Sequence, residues 1–527
     1  MNCSRTACLL LAASLVLGAG LRLWGAAGKK AMGYDAPISL LAAAGKIGAY
    51  HELQREKCPP ARTWVRASEW KKFLRPEGLS LRRIRYDLAH YDVHPPLYFW
   101  LLHLWFLAFG AGLFKGYLLN ILFFAPSVLV LFSLARSCLK DDRSAALVAF
   151  IWSLSPAVVH TSFVLRSYQL LVLCELLFIR EILLVSEPSR PPAPGNYLKL
   201  TLAGAAGLLT HYQFAIVVAG GLVFFFARST RFDRRRRAVG LVSLLCTFMI
   251  LFALHPNFFL SYSRQRAQAG EYRFADVGSR AEKVFSSIMA FFIGNPFWQR
   301  VVAVAAAALA LTVLISYLRK RGRGEIPRGR EKRSVGPVMF FLVWVAGFII
   351  LLYLGRVQTW QQMGERYMSM VYPLLAFVLV AALDLWPKGK RALGICLILG
   401  ITLSVLLRTV RWRRLQEMAV LRRVGALAGG RTVLLDNINR EFLIPVIWYV
   451  PDESPVLAAE QDYLLENRQI WLEKMVPAGI YVSRAWRGER EKQEKLLALI
   501  SARYDVEEAG AGFRVWNYAY TIREGSP

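Results

Sequence analysis

The sequence predicts a polytopic α-helical membrane protein with about eleven transmembrane helices and a small C-terminal α/β domain outside the cytoplasm. The first observation is composition, because 55% of the 527 residues are hydrophobic and the mean hydropathy is +0.36, too apolar for a soluble protein of this length. The second is that apolar runs of about 15 to 22 residues recur, close to the length that a helix needs to cross a bilayer. The third is a change to a mixed polar pattern after residue 411.

The charge of the chain indicates membrane topology rather than nucleic-acid binding. Lys and Arg number 66 against 36 Asp and Glu, which gives a net charge of +30. Many basic residues stand in short loops between apolar runs, where they set orientation and meet anionic lipid. We therefore expect a membrane environment and no nucleic-acid partner. The seven cysteines form neither a disulfide framework nor a zinc motif.

Each predicted span is an apolar run of nearly transmembrane length. Two of them, over 197–227, are shorter than the length that a helix needs to cross a bilayer. A single tilted span over 197–227 is the alternative, and it would reverse the predicted orientation of all the preceding spans. The predicted spans are 6–24, 117–135, 144–164, 167–185, 197–211, 213–227, 238–257, 300–318, 335–355, 369–386 and 392–409.

Four basic loops fall on one side of these spans, and the positive-inside rule makes that side cytoplasmic. The N-terminus is then inside, with an uncleaved first span, and the tail is outside. Four arginines at 408–414 follow the last span on the outer side, against the positive-inside rule. The predicted division is a membrane domain over 1–411, containing a first extracytoplasmic loop over 26–116, and a soluble, periplasmic α/β domain over 412–527.

The first loop contains three apolar or amphipathic pieces, at 38–53, 64–74 and 97–109, which we expect to lie in the membrane interface. Its most distinctive stretch is YDVHPPLY, at 91–98. Pro95 disfavours helical geometry at His94, whereas a helix can begin just after Pro96. The acid Asp92 and His94 are therefore presented at the start of a helix rather than inside one. The alternative is a rigid turn that seats an interfacial helix.

The sequence pattern of the tail, residues 412–527, predicts a small α/β domain. TVLLD at 432–436 and GIYVS at 479–483 have strand composition, a polar helix is predicted over 489–500, and the alternating FRVWNYAY follows.

Polar residues of the types that carry out catalysis or bind substrates gather on the predicted outer side. All seven histidines fall there, which indicates either a polar cavity beneath the first loop or an interfacial preference. Asp35, soon after the first span, can act as a general base toward a hydroxyl. Arg166 and Arg366 at the outer membrane edge can clamp a phosphate with bidentate bonds. Arginine and tyrosine at the membrane edge are also common interfacial anchors. The placement of several such residues on the same side favours a substrate-binding site. Beside them stand Tyr168, His211, Tyr212 and Tyr367.

The order of these features resembles the GT-C class of integral membrane glycosyltransferases, in particular bacterial relatives of protein O-mannosyltransferase and of the aminoarabinose and rhizobial lipopolysaccharide sugar transferases. The resemblance covers about residues 1–410 and is carried by Asp35, DVHPPLYFWLLHLW, SPAVVHTSFVLRSYQLL, THY at 210–212 and ERYMSMVYP at 365–373. It implies a GT-C-like fold and transfer of a sugar from a polyprenyl-phosphate donor to a hydroxyl of a lipid, glycan or protein acceptor at the non-cytoplasmic face.

The resemblance also implies roles for single residues. Asp35 is the base, and Asp92, His94 and Tyr98 line the pocket. Two departures matter. Ala36 stands where the family often has a second acid, and the arginine expected near the start of the second span is absent, so that Lys115 would take its place as a point charge without bidentate geometry. No cofactor follows with certainty from the sequence. A divalent metal stays open as an alternative, with no ligand set identified.

Two other classes of function remain. A transporter or flippase of lipid-linked sugars would use Glu175 and Asp384 as intramembrane coupling charges, although we find no inverted repeat. A non-catalytic membrane assembly protein would depend on neither acid. The composition and the Pro-rich linker SEPSRPPAPG indicate a multi-pass protein of the bacterial inner membrane.

Overall fold

A computed structural model of the chain forms two compact units, which we describe separately. The membrane unit contains Met1–Ala26, Val93–Tyr98 and Tyr117–Arg411, and the loop-and-tail unit contains Ala27–Asp92, Phe99–Gly116 and Trp412–Pro527. The boundary predicted from the sequence lies instead at residue 411. The structure describes residues 4–29, 32, 35–187, 192–230, 232–270, 277–289, 340, 343–348, 350, 365–384, 400, 427–472, 474–475, 479–484, 490–511 and 517–524.

Helices dominate the described residues, with short strands near the C-terminus. In chain order the helices are α1 (Arg5–Gly28), α2 (Ala36–Ala44), α3 (Ile47–Glu56), α4 (Ala67–Lys71), α5 (Leu81–Tyr91), α6 (Leu97–Phe109), α7 (Leu113–Leu139), α8 (Asp142–Leu154), α9 (Pro156–Thr161), α10 (Tyr168–Val185), α11 (Pro194–Thr210), α12 (Ala215–Ser229), α13 (Arg234–Leu254), α14 (Phe258–Gly270), α15 (Val277–Met289), α16 (Tyr372–Asp384), α17 (Arg440–Tyr449), α18 (Gln461–Glu466), α19 (Arg468–Leu472) and α20 (Arg490–Ser501). The strands are β1 (Val65–Arg66), β2 (Val433–Leu435), β3 (Pro455–Ala458), β4 (Ile480–Arg484), β5 (Tyr504–Ala511) and β6 (Asn517–Glu524).

Four helical segments of the described chain are long and apolar enough to cross a membrane. They coincide with the predicted spans at 6–24, 117–135, 213–227 and 238–257, and α10 matches the prediction at 167–185. The four segments are Arg5–Gly28, Leu113–Leu139, Tyr212–Ser229 and Arg234–Leu254. The predicted spans at 300–318 and 392–409, and most of 335–355, lie outside the residues that the structure describes.

The predicted continuous span at 144–164 was wrong. Helix α8 ends at Leu154, Ser155 adopts ψ 129°, and the short α9 begins at Pro156. Pro156 has no amide hydrogen and disfavours helical geometry at the residue before it, so the helix breaks there. Over 197–227, by contrast, the chain forms two helices rather than one, because His211 is extended with φ −160° and ψ 133°.

In the first loop, the predicted piece at 38–53 is two helices. Gly45 separates α2 from α3 in the left-handed region, with φ +67°, a conformation that glycine adopts without steric cost. The piece at 64–74 is β1 followed by α4 and a single 3₁₀ turn. Helix α6 begins at Leu97, immediately after the two prolines, as predicted.

A six-stranded sheet organises the loop-and-tail unit, in the order β1-β3-β2-β4-β6-β5. Strand β2 pairs in parallel with β3 and β4, and β6 pairs antiparallel with β4 and β5. Buried Leu434, Leu457, Trp471 and Tyr481 form part of its core. Strand β1 comes from the first loop and pairs antiparallel with β3. Loop and tail therefore share one sheet and lie on the same side of a membrane.

Polar contacts reinforce this joint between the first loop and the tail. The hydroxyl of Tyr50 donates to the carbonyl of Ile438 over 3.0 Å. Lys71 donates to the carbonyl of Val450 over 2.7 Å and to the carboxylate of Asp452 over 2.6 Å. On another part of the joint, Glu460 accepts from Arg62 over 3.1 Å and also pairs with Lys57.

Candidate active site

The segment that presents Arg166 is held by side chains from three helices of the membrane unit. Asn120 on α7 donates to the carbonyl of Val164 over 2.8 Å. Gln169 on α10 donates to the carbonyl of Val158 over 3.2 Å and to the hydroxyl of Ser162 over 3.1 Å. Backbone carbonyls that lack helical partners at this break thus find side-chain donors.

Arg22 on α1 is the third anchor, and its side chain is fully buried. Its Nε donates to the hydroxyl of Ser162 over 3.1 Å, and its Nη1 donates to the carbonyl of Ser153 over 2.8 Å. The guanidinium also lies 3.7 Å from the ring centre of Phe124, a cation–π distance. Sequence reasoning missed Arg22, Asn120 and Gln169. The signal was available, because polar residues inside apolar helices mark functional or structural sites.

Most of the predicted site residues of the membrane unit come together around this segment. The ring of Tyr168 lies 6.1 Å from His211 and 6.0 Å from Tyr367, the latter edge to face. Nη2 of Arg366 donates to the hydroxyl of Tyr367 over 3.1 Å. These contacts join three stretches that are distant in sequence: RSY at 166–168, HY at 211–212 and ERY at 365–367.

His94, Tyr98 and Arg166 belong to the same cluster. His94 and Arg166 lie within electrostatic range of His211, and Arg166 lies within that range of the hydroxyl of Tyr98. Arg166 is 4% exposed and Tyr98 is fully buried. We call the group formed by His94, Tyr98, Arg166, Tyr168, His211, Arg366 and Tyr367 the Arg–Tyr cluster.

Tyr212 lies in a different group of side chains from its neighbour His211. Its hydroxyl donates to Ser261 over 2.7 Å and lies 2.9 Å from Nε2 of the buried His255. The 3₁₀ turn at 212–214 directs the two adjacent side chains to different partners. Tyr212 therefore helps to join this turn to α14 through Ser261.

The two predicted acids, Asp35 and Asp92, belong to the loop-and-tail unit. Asp35 immediately precedes α2, and its carbonyl accepts from the amide of Ser39 over 3.1 Å. A negative charge at this end of a helix is stabilised by the helix dipole. Its side chain is half-buried, whereas Asp92, which ends α5, is 7% exposed.

Comparison with known proteins supports the fold. The family model described as dolichyl-phosphate-mannose-protein mannosyltransferase matches residues 93–257, a segment that begins beside His94 and contains Arg166 and His211. The crystal structure of ArnT from Cupriavidus metallidurans bound to undecaprenyl phosphate superposes with a TM-score of 0.53 and 13% identity, covering 97% of each chain. The chain has the GT-C glycosyltransferase fold. The resemblance seen in the sequence is thereby confirmed.

The apo structure of ArnT from the same organism gives a TM-score of 0.47 and 14% identity, covering 81% of this chain and 87% of that one. No curated protein matches the sequence.

The donors gathered in the Arg–Tyr cluster suit an anion. Arg166 and Arg366 supply guanidinium groups, whose fork matches phosphate geometry, and the tyrosines supply hydroxyls. No group of three or more His, Cys, Asp or Glu residues within the described ranges is placed to hold a metal ion. The cluster therefore has the chemistry of a phosphate site.

Glu175 is an acidic residue of the membrane unit that does not belong to the Arg–Tyr cluster. It is fully buried on α10, and neither of its carboxylate oxygens has a hydrogen-bond partner among the residues that the structure describes. Nearby, Glu181 accepts from Asn196 over 2.9 Å. Burying a carboxyl group without a partner is costly, which marks Glu175 as a candidate functional residue.

Proposed function

We propose that this protein transfers a sugar from a polyprenyl-phosphate donor to a hydroxyl of a lipid, glycan or protein acceptor, at the extracytoplasmic face of a bacterial inner membrane. The observation that carries the proposal is the Arg–Tyr cluster, which gathers two arginines, two histidines and three tyrosines from separate stretches of a GT-C fold. The ArnT structure, whose bound ligand is undecaprenyl phosphate, supports a lipid phosphate as the group that this kind of fold holds.

The reaction is a single displacement at the anomeric carbon of the donor sugar. Asp35 takes the proton of the acceptor hydroxyl while the acceptor oxygen forms a bond to that carbon. The bond from the carbon to the phosphate oxygen breaks, and the lipid phosphate leaves with the electron pair. A general base of this kind contributes about 10²- to 10⁴-fold to the rate.

Negative charge grows on the departing phosphate, and Arg166 and Arg366 are assigned to stabilise it. The guanidinium of Arg366 donates to the hydroxyl of Tyr367, and the backbone that carries Arg166 is anchored by Asn120 before the reaction. Preorganised donors in a water-poor site lower a barrier more than mobile ones, because they need no reorganisation. His94 and His211 are secondary donors to the same phosphate.

The remaining predicted residues position the substrates. Tyr168 and Tyr367 pack edge to face and hold the two arginine-bearing segments together. Tyr98 and Asp92 are assigned to the lining of the pocket. The proposed side of the membrane rests on the basic loops, and the pairing of β1 with β3 supports a common side for the first loop and the tail.

The decisive experiment is mass spectrometry of polyprenyl-phosphate lipids from the native host carrying the wild-type protein, a deletion, or Asp35→Asn. If the proposal is right, one glycosylated carrier accumulates equally in the deletion and in Asp35→Asn. Glu56→Gln is the matched control, because Glu56 is an exposed carboxylate of the same loop paired with Arg55. Wild-type lipids in the deletion strain would refute the proposal.

A second candidate, a transporter of lipid-linked sugars, is favoured by one observation, the buried and unpartnered Glu175 within the described chain. A buried ionisable residue in a membrane helix is a common site of proton coupling. Transport of a fluorescent lipid-linked sugar across sealed proteoliposomes, with and without Glu175→Gln, tests it directly.

A further inference from the structure

The loop-and-tail unit contains a cleft that the proposed reaction leaves unused. Its volume is about 230 Å³, and it lies between α3 and the end of α5 on one side and the start of α17 on the other. The residues that matter for its chemistry are Tyr50, His51, Gln54, Tyr91, Arg440 and Glu441. All six belong to one compact unit.

One wall of the cleft is aromatic. The rings of His51 and Tyr91 lie 4.9 Å apart, tilted by 36°. Gly48 makes this arrangement possible, since a Cβ atom there would lie 2.9 Å from Tyr91 Cε2 and 2.9 Å from Asp87 Oδ1. Its amide donates to Asp87 Oδ2 over 3.0 Å and so ties α3 to α5. The aromatic wall is thus built by close helix packing rather than by a loose loop.

The opposite wall is polar and carries both signs of charge. Nε of Arg440 donates to Oε1 of Glu441 over 2.9 Å, and the two side chains are 23% and 14% exposed. Asn439 caps α17 by accepting from the amide of Glu441 over 3.1 Å, which holds this first turn in place.

The two walls are fastened to each other. The hydroxyl of Tyr50 and Nε2 of Gln54, both on α3, donate to the carbonyl of Ile438 over 3.0 and 3.1 Å. Because both bonds converge on the residue just before the cap of α17, the spacing of the walls is set by the fold. A preformed cleft of this kind binds a ligand with a smaller loss of conformational entropy.

The chemistry of the walls selects a neutral ligand rich in hydroxyl groups. A carboxylate only accepts hydrogen bonds and a guanidinium only donates them, whereas a hydroxyl does both. Glu441 repels an anion and Arg440 repels a cation, so neither a phosphate nor an amine is favoured. Flat aromatic rings offer an apolar face, which suits the C–H face of a sugar ring.

The volume indicates a ligand the size of one ring. It equals the liquid volume of roughly eight water molecules, at about 30 Å³ each, and lies below the range of about 300 to 1,000 Å³ typical of drug-sized ligands. One monosaccharide therefore fits, and the rest of a longer glycan would extend into solvent.

We propose that this cleft binds one neutral sugar ring of the acceptor. The assignment to the acceptor, rather than the donor, rests on the proposed function. It is supported by Asp35, the assigned base for the acceptor hydroxyl, which belongs to the same unit and begins the helix that leads through Gly45 into α3. Base and cleft are thereby carried by consecutive helices of one unit.

The test is saturation-transfer difference NMR of the full-length protein in lipid nanodiscs. The probes are the methyl glycosides of glucose, galactose, mannose and N-acetylglucosamine, each offered alone. We expect saturation transfer to at least one of them, with affinity reduced about tenfold or more in Glu441→Gln, because hydrogen bonds to a charged acceptor are lost. Tyr91→Leu, which removes the aromatic face, should weaken binding likewise.

The matched control is Tyr86→Leu. Tyr86 lies on the same helix as Tyr91, is 50% exposed, and stacks on His90 at 3.8 Å rather than on His51. This variant should bind as the wild type does. Glu441→Gln is nearly isosteric, so it keeps the test valid if Tyr91→Leu fails to fold.

Absence of saturation transfer from all four glycosides would overturn the proposal, and so would equal binding in all variants. Competition by inorganic phosphate would also overturn it, because the cleft would then be an anion site. The two proposals fail separately. Normal lipid profiles in the deletion strain refute the transferase and leave the NMR result untouched, whereas accumulation of a glycosylated carrier together with absent sugar binding refutes only the cleft.

Discussion

The Nε atom of Arg22, in the first membrane helix, donates to the hydroxyl of Ser162 over 3.1 Å. This contact joins residues 140 positions apart in the chain, and Ser162 stands four residues before Arg166. The first helix is thereby connected to the segment that presents an assigned phosphate ligand. A buried arginine with this role is a positioning residue, which acts on the site through the segment it holds.

Replacing Arg22 should weaken both stability and turnover. Arg22→Met removes the Arg22 donor from the carbonyl of Ser153, at a cost of about 1 to 3 kcal/mol for an unsatisfied buried group, and leaves the Ser162 hydroxyl with Gln169 as a donor. We expect a lower melting temperature in detergent, and a fall in kcat larger than any change in donor KM. Arg235→Met, at an exposed position, should melt as the wild type does. An unchanged kcat in Arg22→Met would contradict the positioning role.

Replacing Arg366 should remove stabilisation of the leaving phosphate. In Arg366→Lys the charge remains but the bidentate fork and the bond to the Tyr367 hydroxyl are lost. We expect kcat to fall about 10²- to 10³-fold, as for loss of one preorganised donor. Turnover of a radiolabelled polyprenyl-phosphate sugar measures this. Arg180→Lys, whose side chain is 44% exposed on α10, serves as the control and should retain activity.

The two acids Asp35 and Glu175 distinguish a transferase from a transporter. Asp35→Asn should reduce sugar transfer by about 10²- to 10⁴-fold, since it removes the base and not the binding groups. Glu175→Gln keeps the shape of the side chain and should leave transfer within a few fold of wild type. The reverse order of effects, measured on the same membrane preparations, would favour transport.

The contact between the first loop and the tail should weaken in acid. Burial raises the pKa of Glu460, but hydrogen bonds from Lys57, from the backbone and from Arg62 outweigh it, so its pKa lies below the ordinary value of 4.5. A carboxyl with a lowered folded pKa stabilises the protein above its unfolded pKa and loses that contribution as the pH falls through its folded pKa. The stability difference between wild type and Glu460→Gln should therefore be fully present near pH 7 and shrink below pH 4.5.

Thermal unfolding of both proteins at a series of pH values checks this prediction. A second carboxyl of the same joint, Asp452, has a pKa lowered by its hydrogen bond with Lys71, so Asp452→Asn should follow the same pH course. Glu494→Gln, an exposed carboxylate paired along its own helix, is the control. A difference that is independent of pH would show that packing, and not charge, joins the loop to the tail.

Much of the local structure could be predicted from the sequence, because it depends on short-range chemistry. The two prolines before Leu97 set the start of α6, and the strand composition of TVLLD and GIYVS coincides with β2 and β4. Apolar length alone predicted the four segments long enough to cross a membrane. The break at Pro156 was missed because the apolar run continues through it, although the proline itself carried the signal.

The sequence by itself determined the membrane class, the GT-C order of motifs and the residue types offered to a phosphate, since these depend on composition and on spacing along the chain. Only the tertiary structure decided which of those residues meet. It brought Tyr367 into contact with Tyr168, Tyr212 into contact with His255, and Arg22 into contact with Ser162. It also added β1 of the first loop to the sheet of the tail. Such contacts arise from packing between helices and strands that are far apart in sequence. No local sequence pattern reveals which of these elements will pack together.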